Sequence, residues 1–277
     1  MVTPRIVKVV YIHAKEQTVA SITTLTCGSS RAQINHFGAQ IFSWQVNGVE
    51  QFFLSDLADH DCRGPLRGGI PLCFPWFGGA AKPFHGFGRN NEWKLVESSD
   101  SQAVFTFEFD ACDYPVVPEF LSAGRMRLTF TLTPVSLRLD AQIENLSDEA
   151  KPVELGLHGY FRANAGQAIL HGVRGNYLDY ASGEPVSAHT DTDLNPVPAG
   201  INRVYEGAFP AVLDGLQITP SGYTHTVVWN PGENPGIGDL PDFQALDFVC
   251  VEQLYRNPNA VLQPSEDLQL SVIFSVN

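Results

Sequence analysis

The chain has 277 residues, of which 44% are hydrophobic and 17% charged, and this balance is typical of a folded globular protein. Its formal net charge is −13 at pH 7, and a field of that sign repels the phosphates of nucleic acids and of anionic membranes. We therefore expect neither nucleic acid nor a membrane as a partner. An anionic small molecule would need a local basic pocket.

The termini and the cysteines indicate where the protein works. Residues 1–17 carry charges throughout and contain no long apolar run, so no signal peptide is predicted. No stretch approaches the roughly 18 apolar residues of a membrane span. The five cysteines are scattered and form no Cys-x-x-Cys pair, which favours reduced thiols. We expect a cytoplasmic protein, and because no linker or repeat divides the chain, we expect residues 1–277 to form one domain.

Alternation of apolar and polar residues is the dominant pattern along the chain, and it is typical of strands with one buried face. In chain order it is clearest at 105–109, 126–132, 137–143 and 268–274. Further candidate strands are 5–12, 19–26, 40–46, 93–98, 152–158, 167–173, 225–229 and 247–254. Only three residues, 133–135, join two of the clearest segments, which predicts antiparallel neighbours.

These strands predict the fold class. No segment has the pattern of a helix of three or more turns. Many antiparallel strands, each buried on one side, predict stacked sheets, and the expected architecture is an all-β, large antiparallel β-sandwich. Loops rich in Gly and Pro at 61–92, 181–200 and 230–243 are expected to carry the functional site, because sites usually lie on long loops of a rigid scaffold.

Two neighbouring segments rich in Gly and aromatic residues, 67–78 and 85–90, contain Arg67, His85 and Arg89. Glycines let the backbone approach a ligand closely, aromatic faces suit the C–H face of a sugar, and the arginine fork matches a carboxylate or phosphate. A turn-rich loop that packs its aromatic rings on the core and exposes its arginines explains the same residues.

Two further positions have the side chains of an acid–base pair. His158 ends an apolar strand candidate just before a glycine, where an imidazole can act as a general acid near neutral pH. Glu252 closes an apolar run, and partial desolvation would raise its pKa toward the range of a general base. The alternatives are a structural histidine and a surface glutamate at a strand end. The dispersed histidines form no His-x-His or His-x-x-x-His pair, so no metal site is predicted.

Together and in this order, the segments resemble the aldose 1-epimerase (mutarotase) superfamily, and more narrowly its hexose-6-phosphate branch. The matching motifs are RGGIPLCFPWFG at 67–78, HGFGR at 85–89, LHGYFR at 157–162, YLD at 177–179, VVWNP at 227–231 and VCVE at 249–252. The resemblance implies a galactose mutarotase-like supersandwich. It also implies an enzyme that interconverts the α and β anomers of a hexose or hexose 6-phosphate with no metal or organic cofactor.

The resemblance also implies roles for particular residues. His158 would protonate the ring oxygen as the general acid, and Glu252 would take the proton of the C1 hydroxyl as the base. The positions implied to contact substrate are Arg67 and Arg89 at the phosphate and His85 and Asp179 at the sugar. The expected partner is therefore a small sugar phosphate, and no obligate protein partner is inferred.

Three positions depart from the pattern that the resemblance leads us to expect. Phe84 stands where a polar residue is usual, Tyr180 where a lysine or arginine is common, and Asn202 where an aspartate is common. The acid–base pair is unaffected, but the identity of the sugar and the preference for phosphate stay open. The alternatives are a 1-epimerase for free aldoses and a carbohydrate-binding protein without catalysis.

Overall fold

The computed structural model describes residues 21–59, 61–110 and 119–276, so the predicted strand 5–12 and the first two residues of the predicted strand 19–26 lie outside the described residues. In chain order the first ten strands are β1 Ile22–Cys27, β2 Ser30–Asn35, β3 Gln40–Val46, β4 Val49–Glu50, β5 Leu72–Cys73, β6 Lys94–Ser98, β7 Gln102–Phe109, β8 Gly124–Leu132, β9 Ser136–Asn145 and β10 Leu155–Leu157. The next ten are β11 Tyr160–Arg162, β12 Leu170–His171, β13 Gly175–Asp179, β14 Val186–Thr190, β15 Asn202–Glu206, β16 Ala211–Leu213, β17 Leu216–Ser221, β18 His225–Trp229, β19 Phe248–Tyr255 and β20 Asp267–Ser275.

The strands form three sheets. A four-stranded sheet has the order β1-β2-β3-β4. The second, which we call the site sheet, has the order β14-β13-β15-β18-β19-β10-β5, and β11 also pairs with β19. The third, the back sheet, has the order β12-β16-β17-β20-β9-β8-β7-β6. The helical elements of the described residues are two 3₁₀ turns, Gly88–Asn90 and Asp242–Gln244, and neither is long and apolar enough to cross a membrane.

The predicted all-β antiparallel sandwich is confirmed, and the back sheet shows why the sequence predicts it. Apolar residues of β8 and β9 alternate with polar ones and are buried on one face. The register places Met126 opposite Ile143 and Phe130 opposite Leu139, so the buried residues of the two strands lie side by side. Cross-strand contacts of this kind are the unit that stabilises a sheet.

Aromatic side chains join the site sheet to the back sheet. The ring of Phe161 on β11 lies 5.4 Å from that of Phe274 on β20, and Phe52 lies 6.3 Å from the same ring. Trp44 of β3 packs 5.9 Å from Phe52, which brings the four-stranded sheet into the same apolar cluster. One face of the site sheet therefore faces this core, and its other face is available for a site.

Most predicted strands agree with the structure to within a few residues, but three expectations do not. The segment 61–92, expected to be a loop, contains β5, which pairs with β10. The segment 167–173 contains only the two-residue strand β12. The segment 181–200, expected to be a loop, contains β14, which pairs with β13 at the edge of the site sheet. Because β14 is mostly exposed on both faces, it lacks the apolar alternation that reveals a half-buried strand.

Candidate active site

Strand register places the two candidate catalytic side chains together. Leu157 on β10 is opposite Gln253 on β19, and Tyr160 on β11 is opposite Cys250. Counting inward from both pairs puts His158 opposite Glu252. Directly opposed residues project from the same face of a sheet, and the His158 Nε2 and Glu252 Oε1 atoms lie 3.5 Å apart.

The segment between β10 and β11 is hydrogen-bonded to neighbouring chain segments on both sides. The backbone N–H of His158 donates to the carbonyl of Pro71, outside β19, at 3.0 Å. The backbone N–H of Val251 donates to the carbonyl of Gly159 at 3.1 Å. The imidazole of His158, the candidate general acid, therefore projects from a short interruption between β10 and β11, and irregular strands are common beside active sites.

The Gly68–Gly69 turn fixes the position of Arg67. Both glycines have positive φ, 137° and 58°. A Cβ at Gly68 would lie 2.3 Å from the Phe53 carbonyl oxygen, and a Cβ at Gly69 would lie 2.3 Å from that of Ile41. Only glycine permits this close approach, and it brings the arginine beside the end of β11.

A cavity of about 580 Å³ opens over this face of the site sheet. Its volume is that of a small-molecule site. The residues lining it are Arg67, Phe77, Gly78, Gly79, Ala80, Phe84, His85, Arg89, His158, Tyr180, Asn202, Val204, Val227, Trp229, Ile237, Glu252 and Arg256. Five of the six site residues expected from the sequence line this cavity, and Asp179 does not.

The electrostatics of the candidate pair differ from those of the free side chains. Burial raises the pKa of the Glu252 carboxyl well above its ordinary value of 4.5. Burial first, and neighbouring positive groups second, lower the pKa of His158 well below 6.5. Glu252 Oε2 and His158 Nδ1 are buried and have no hydrogen-bond partner among the described residues. Buried polar atoms without partners are costly, and a fold that retains two of them beside a cavity marks this pair as a candidate for function.

His85 is a neutral donor at the wall of the cavity. The backbone N–H of Gly78 donates to its Nδ1 at 3.0 Å, so the proton of the neutral ring lies on Nε2. Burial and the positive charges of Arg89 and Arg67 lower the pKa of His85 to about 3. Its backbone has φ of 66°, a conformation that non-glycine residues rarely adopt and that is often found at functional sites.

Three arginines line the cavity, and their partners differ. Arg67 donates from Nε to Asp239 at 3.0 Å and from Nη1 to the Tyr160 hydroxyl at 2.9 Å. Arg256 is bound to the carboxylate of Glu154, at 2.7 Å from its Nε.

Arg89 differs from both, since it donates to the carbonyl of Phe84 at 3.0 Å and makes no ion pair within the described ranges. It is therefore the arginine whose charge is least neutralised by neighbouring protein groups.

Asp179 does not line the cavity, although Tyr180, the next residue in the chain, does. Its carboxylate binds Arg203 Nε at 2.9 Å and accepts the backbone N–H of Ala181 at 2.9 Å. Asn202 and Val204, which flank Arg203 on β15, line the cavity, so the paired Arg203 and Asp179 project from the opposite face. Contact between Asp179 and sugar stays a prediction.

One group of possible metal ligands occurs among the described residues. Ligand atoms of His158, Cys250 and Glu252 lie within 4.8 Å of one another. The sequence did not indicate this group, because Cys250 shares no metal-binding spacing with the other two residues. Burial raises the pKa of the Cys250 thiol well above its usual range, which opposes the thiolate that binds metal ions. The nearby Arg67 and Arg89 also repel a cation.

Several lining residues were not predicted as site residues. Trp229 lies in the VVWNP motif, and its ring packs 5.7 Å from that of His158 at 84°. Arg256 follows β19, and its guanidinium lies 5.6 Å from the ring of Phe77. For Trp229 the signal was an aromatic residue in a quoted motif. The sequence contained no signal for Arg256. It is positioned by Glu154, which is 102 residues away in sequence, so no local pattern connects the two.

Comparison with known proteins identifies the class. A sequence model of the aldose 1-epimerase family matches residues 21–204, which is more than half of the chain. The chain therefore belongs to the aldose 1-epimerase family.

Individual proteins of known name are also similar to this chain. The chain is 30% identical over 242 residues to an Escherichia coli K12 protein named "Putative glucose-6-phosphate 1-epimerase", covering 79% of this chain and 78% of the relative. A Salmonella typhimurium protein of the same name is 29% identical over 239 residues, and the match covers 79% of this chain and 77% of that protein.

Solved structures confirm the galactose mutarotase-like fold. The crystal structure of the Salmonella typhimurium "putative mutarotase (YeaD)" superposes with a TM-score of 0.78 at 23% identity, covering 94% of this chain and 92% of that one. A galactose mutarotase-like protein from Lactobacillus casei has a TM-score of 0.71 at 17% identity, covering 93% and 100%. These similarities establish the shared fold.

Proposed function

We propose that this protein is a hexose-6-phosphate mutarotase that interconverts the α and β anomers of glucose 6-phosphate. The observation that carries the proposal is the charge of the cavity. The whole chain has a net charge of −13, yet the lining of this one cavity holds three arginines and one carboxylate. A local reversal of charge inside an acidic protein selects an anionic ligand. The names of the relatives from Escherichia coli and Salmonella typhimurium support the same substrate.

In the proposed reaction, Glu252 takes the proton of the C1 hydroxyl. The electrons of that O–H bond form the C1 carbonyl, the C1–O5 bond breaks, and O5 takes a proton from His158. The aldehyde then rotates about C1–C2. On closure O5 attacks the other face of C1, His158 recovers its proton from O5, and Glu252 returns its proton to O1. General acid–base catalysis of this kind contributes about 10²–10⁴-fold in rate.

The pKa directions fit a pair that shares one proton. Burial raises the pKa of Glu252 and lowers the pKa of His158, so both shifts move the shared proton toward Glu252, which is the arrangement that awaits an open-chain sugar. Ring opening begins from the same number of protons, with the proton on His158 and the carboxylate free. Because both states carry one proton, opening and closing need no exchange of protons with solvent.

The other lining residues would hold the substrate. We assign the phosphate to Arg89 and Arg67, because guanidinium groups bind phosphate oxygens with charge-assisted hydrogen bonds. His85 would donate from Nε2 to a sugar oxygen. The exposed face of Trp229 in the cavity would pack against the C–H face of the ring.

A 1-epimerase for free aldoses is the second candidate, and one observation favours it. Two of the three arginines are bound to carboxylates, Arg67 to Asp239 and Arg256 to Glu154. These pairs reduce the net charge that a phosphate would meet. A free-sugar enzyme would use the same acid–base pair and need no anion site.

Exchange NMR between the α and β anomers tests both candidates. Glucose 6-phosphate, galactose 6-phosphate and free glucose are compared side by side, with each exchange rate corrected for the rate without protein. The proposal predicts the largest kcat/KM for a hexose 6-phosphate. Faster exchange of free glucose would favour the second candidate. Binding of sugar without any acceleration would indicate a carbohydrate-binding protein without catalysis.

A further inference from the structure

The His158 imidazole is oriented without a strong hydrogen bond. Its Nδ1 has no partner among the described residues, and its Nε2 lies 3.5 Å from Glu252, which is long for a hydrogen bond. A functional histidine is usually oriented by a hydrogen bond from its other ring nitrogen. Some other contact must therefore hold this ring.

Aromatic rings supply that contact. The Tyr160 ring stacks on His158 with centroids 4.7 Å apart and planes 8° from parallel. Trp229 meets both rings edge-on, at 84° to His158 and 83° to Tyr160. Residues two apart on a strand project from the same face, so the stack follows from the sequence spacing of His158 and Tyr160.

Tyr160 is itself rigidly placed. It is 1% exposed, its N–H donates to the Gly69 carbonyl at 2.8 Å, and its carbonyl accepts the N–H of Phe53 at 3.0 Å. The ring also packs 5.1 Å from Phe248 on β19. Because both the backbone and the ring of Tyr160 are held in place, the side chains that contact it are held in place as well.

The hydroxyl of the same tyrosine holds the anion site. Arg67 Nη1 donates to it at 2.9 Å, while Arg67 Nε donates to Asp239. Nη2 of Arg67 has no hydrogen-bond partner among the described residues, so it is left for a ligand. The Tyr160 ring thus bridges the arginine and the histidine.

We propose that Tyr160 is a positioning residue with two separable roles: its ring face orients His158 for proton transfer, and its hydroxyl orients Arg67 for the substrate anion. The proposal rests on the proposed function for its kinetic consequences. It makes no claim that Tyr160 touches the sugar. It explains how one buried side chain sets the distance between the phosphate site and the acid.

Two substitutions separate the roles. Tyr160→Phe keeps the ring and removes the hydroxyl, so we expect KM for glucose 6-phosphate to rise roughly fivefold, with little change in kcat or in free-glucose exchange. Tyr160→Leu removes the stack, so we expect kcat on both sugars to fall about tenfold. Tyr223→Phe is the matched control, because it removes the hydroxyl of a buried tyrosine that does not line the cavity.

A double-mutant comparison tests the arginine role even if Tyr160→Leu folds poorly. If the hydroxyl acts through Arg67, Tyr160→Phe added to Arg67→Met raises KM for glucose 6-phosphate no further than Arg67→Met alone. Multiplied KM effects would show that the hydroxyl acts independently and would overturn this half of the proposal. A fall in kcat for Tyr160→Phe equal to that for Tyr160→Leu would overturn the other half.

A measurement without substrate separates this proposal from the proposed function. In protein labelled at histidine, the Hε1 resonance of His158, assigned with His158→Asn, carries the ring-current shift of Tyr160. We expect that shift to persist in Tyr160→Phe and to be lost in Tyr160→Leu. An unchanged resonance in Tyr160→Leu would refute the stacking role. If wild-type protein accelerates no anomer exchange, the proposed function fails while the resonance still tests the stack.

Discussion

The strands β8 and β9 of the back sheet and the strand β19 of the site sheet use buried side chains in different ways. In β8 and β9 apolar residues face the core, and charged residues on the other face find partners, as Arg125 does with Glu108 and Glu144. In β19 every residue before Tyr255 is buried, including Glu252. One region satisfies its polar groups, and the other leaves carboxylate and imidazole atoms without partners.

This difference in hydrogen bonding indicates that the back sheet contributes to stability, whereas the His158–Glu252 pair is retained for function. Burying a polar atom without a hydrogen bond costs about 1–3 kcal/mol, and β19 bears that cost at Glu252. Unsatisfied groups persist where a ligand or reaction uses them. The comparison therefore predicts that substitutions at the His158–Glu252 pair lower kcat with little loss of stability. Substitutions in the back sheet should lower stability and leave kcat unchanged.

The largest expected effect is on catalysis. His158→Asn and Glu252→Gln should each lower kcat for anomer exchange about a hundredfold or more, because each removes one proton-transfer group. Folding should be little changed, and Tm of Glu252→Gln should stay close to that of wild type, because the amide has nearly the size and shape of the carboxyl group it replaces. Exchange NMR and thermal unfolding measure the two quantities. Near wild-type exchange in either variant would refute the role of that residue.

A substitution in the back sheet should lower stability and leave catalysis unchanged. Leu139 is 3% exposed and packs in the core, so Leu139→Ala should lower the free energy of unfolding by about 2–5 kcal/mol. Denaturant titration measures this loss. The kcat of the folded fraction should stay at the wild-type value. A loss of kcat at full folding would show that the two regions are coupled.

The arginines come next in size. Arg89→Ala and Arg67→Ala should each raise KM for a hexose 6-phosphate roughly tenfold or more, because a hydrogen bond to a charged group contributes about 1.5–3 kcal/mol. Arg89 makes no ion pair in the described part of the chain, so its loss should be the larger. Free-glucose exchange is the control, and rising salt should weaken phosphosugar binding. Equal losses on both sugars would mean that the arginines shape the pocket instead.

The pH dependence is a smaller effect with a defined sign. The lowered pKa of His158 puts the acid limb of kcat/KM below pH 6.5, and the raised pKa of Glu252 puts the alkaline limb well above 4.5. Arg89 lowers both pKa values, so Arg89→Ala should move both limbs to higher pH. Exchange of free glucose from pH 4 to 9 measures this, since that sugar carries no titrating phosphate. Limbs that move in opposite directions would contradict the electrostatic assignment.

The smallest expected effect is that of chelation. Ligand atoms of His158, Cys250 and Glu252 lie within 4.8 Å of one another, but the reaction proposed for this pair uses only proton transfer. Activity should therefore survive exhaustive treatment with EDTA. Loss of exchange that a divalent ion restores would refute the cofactor-free mechanism.

Local patterns in the sequence predicted the regular part of the molecule and the types of residue at the site. Alternation predicted β8 and β9 because a strand with one buried face repeats every two residues. The motif order, read with its resemblance, indicated six site residues. Five of them line one cavity, and Asp179 does not; the five are His158, Glu252, Arg67, Arg89 and His85. Where burial gave no periodic signal, as in the exposed edge strand β14, the prediction of a loop was wrong.

Contacts between distant parts of the chain account for the rest. Arg67 meets Asp239, which is 172 residues away, and no local pattern links them. Asp179 and Tyr180 adjoin in sequence, yet only Tyr180 lines the cavity, because Asp179 is paired with Arg203 on the opposite face of the site sheet. Composition and periodicity depend on neighbouring residues and can be read from one segment. Ion pairing, ring stacking and desolvation depend on which strands the fold brings together.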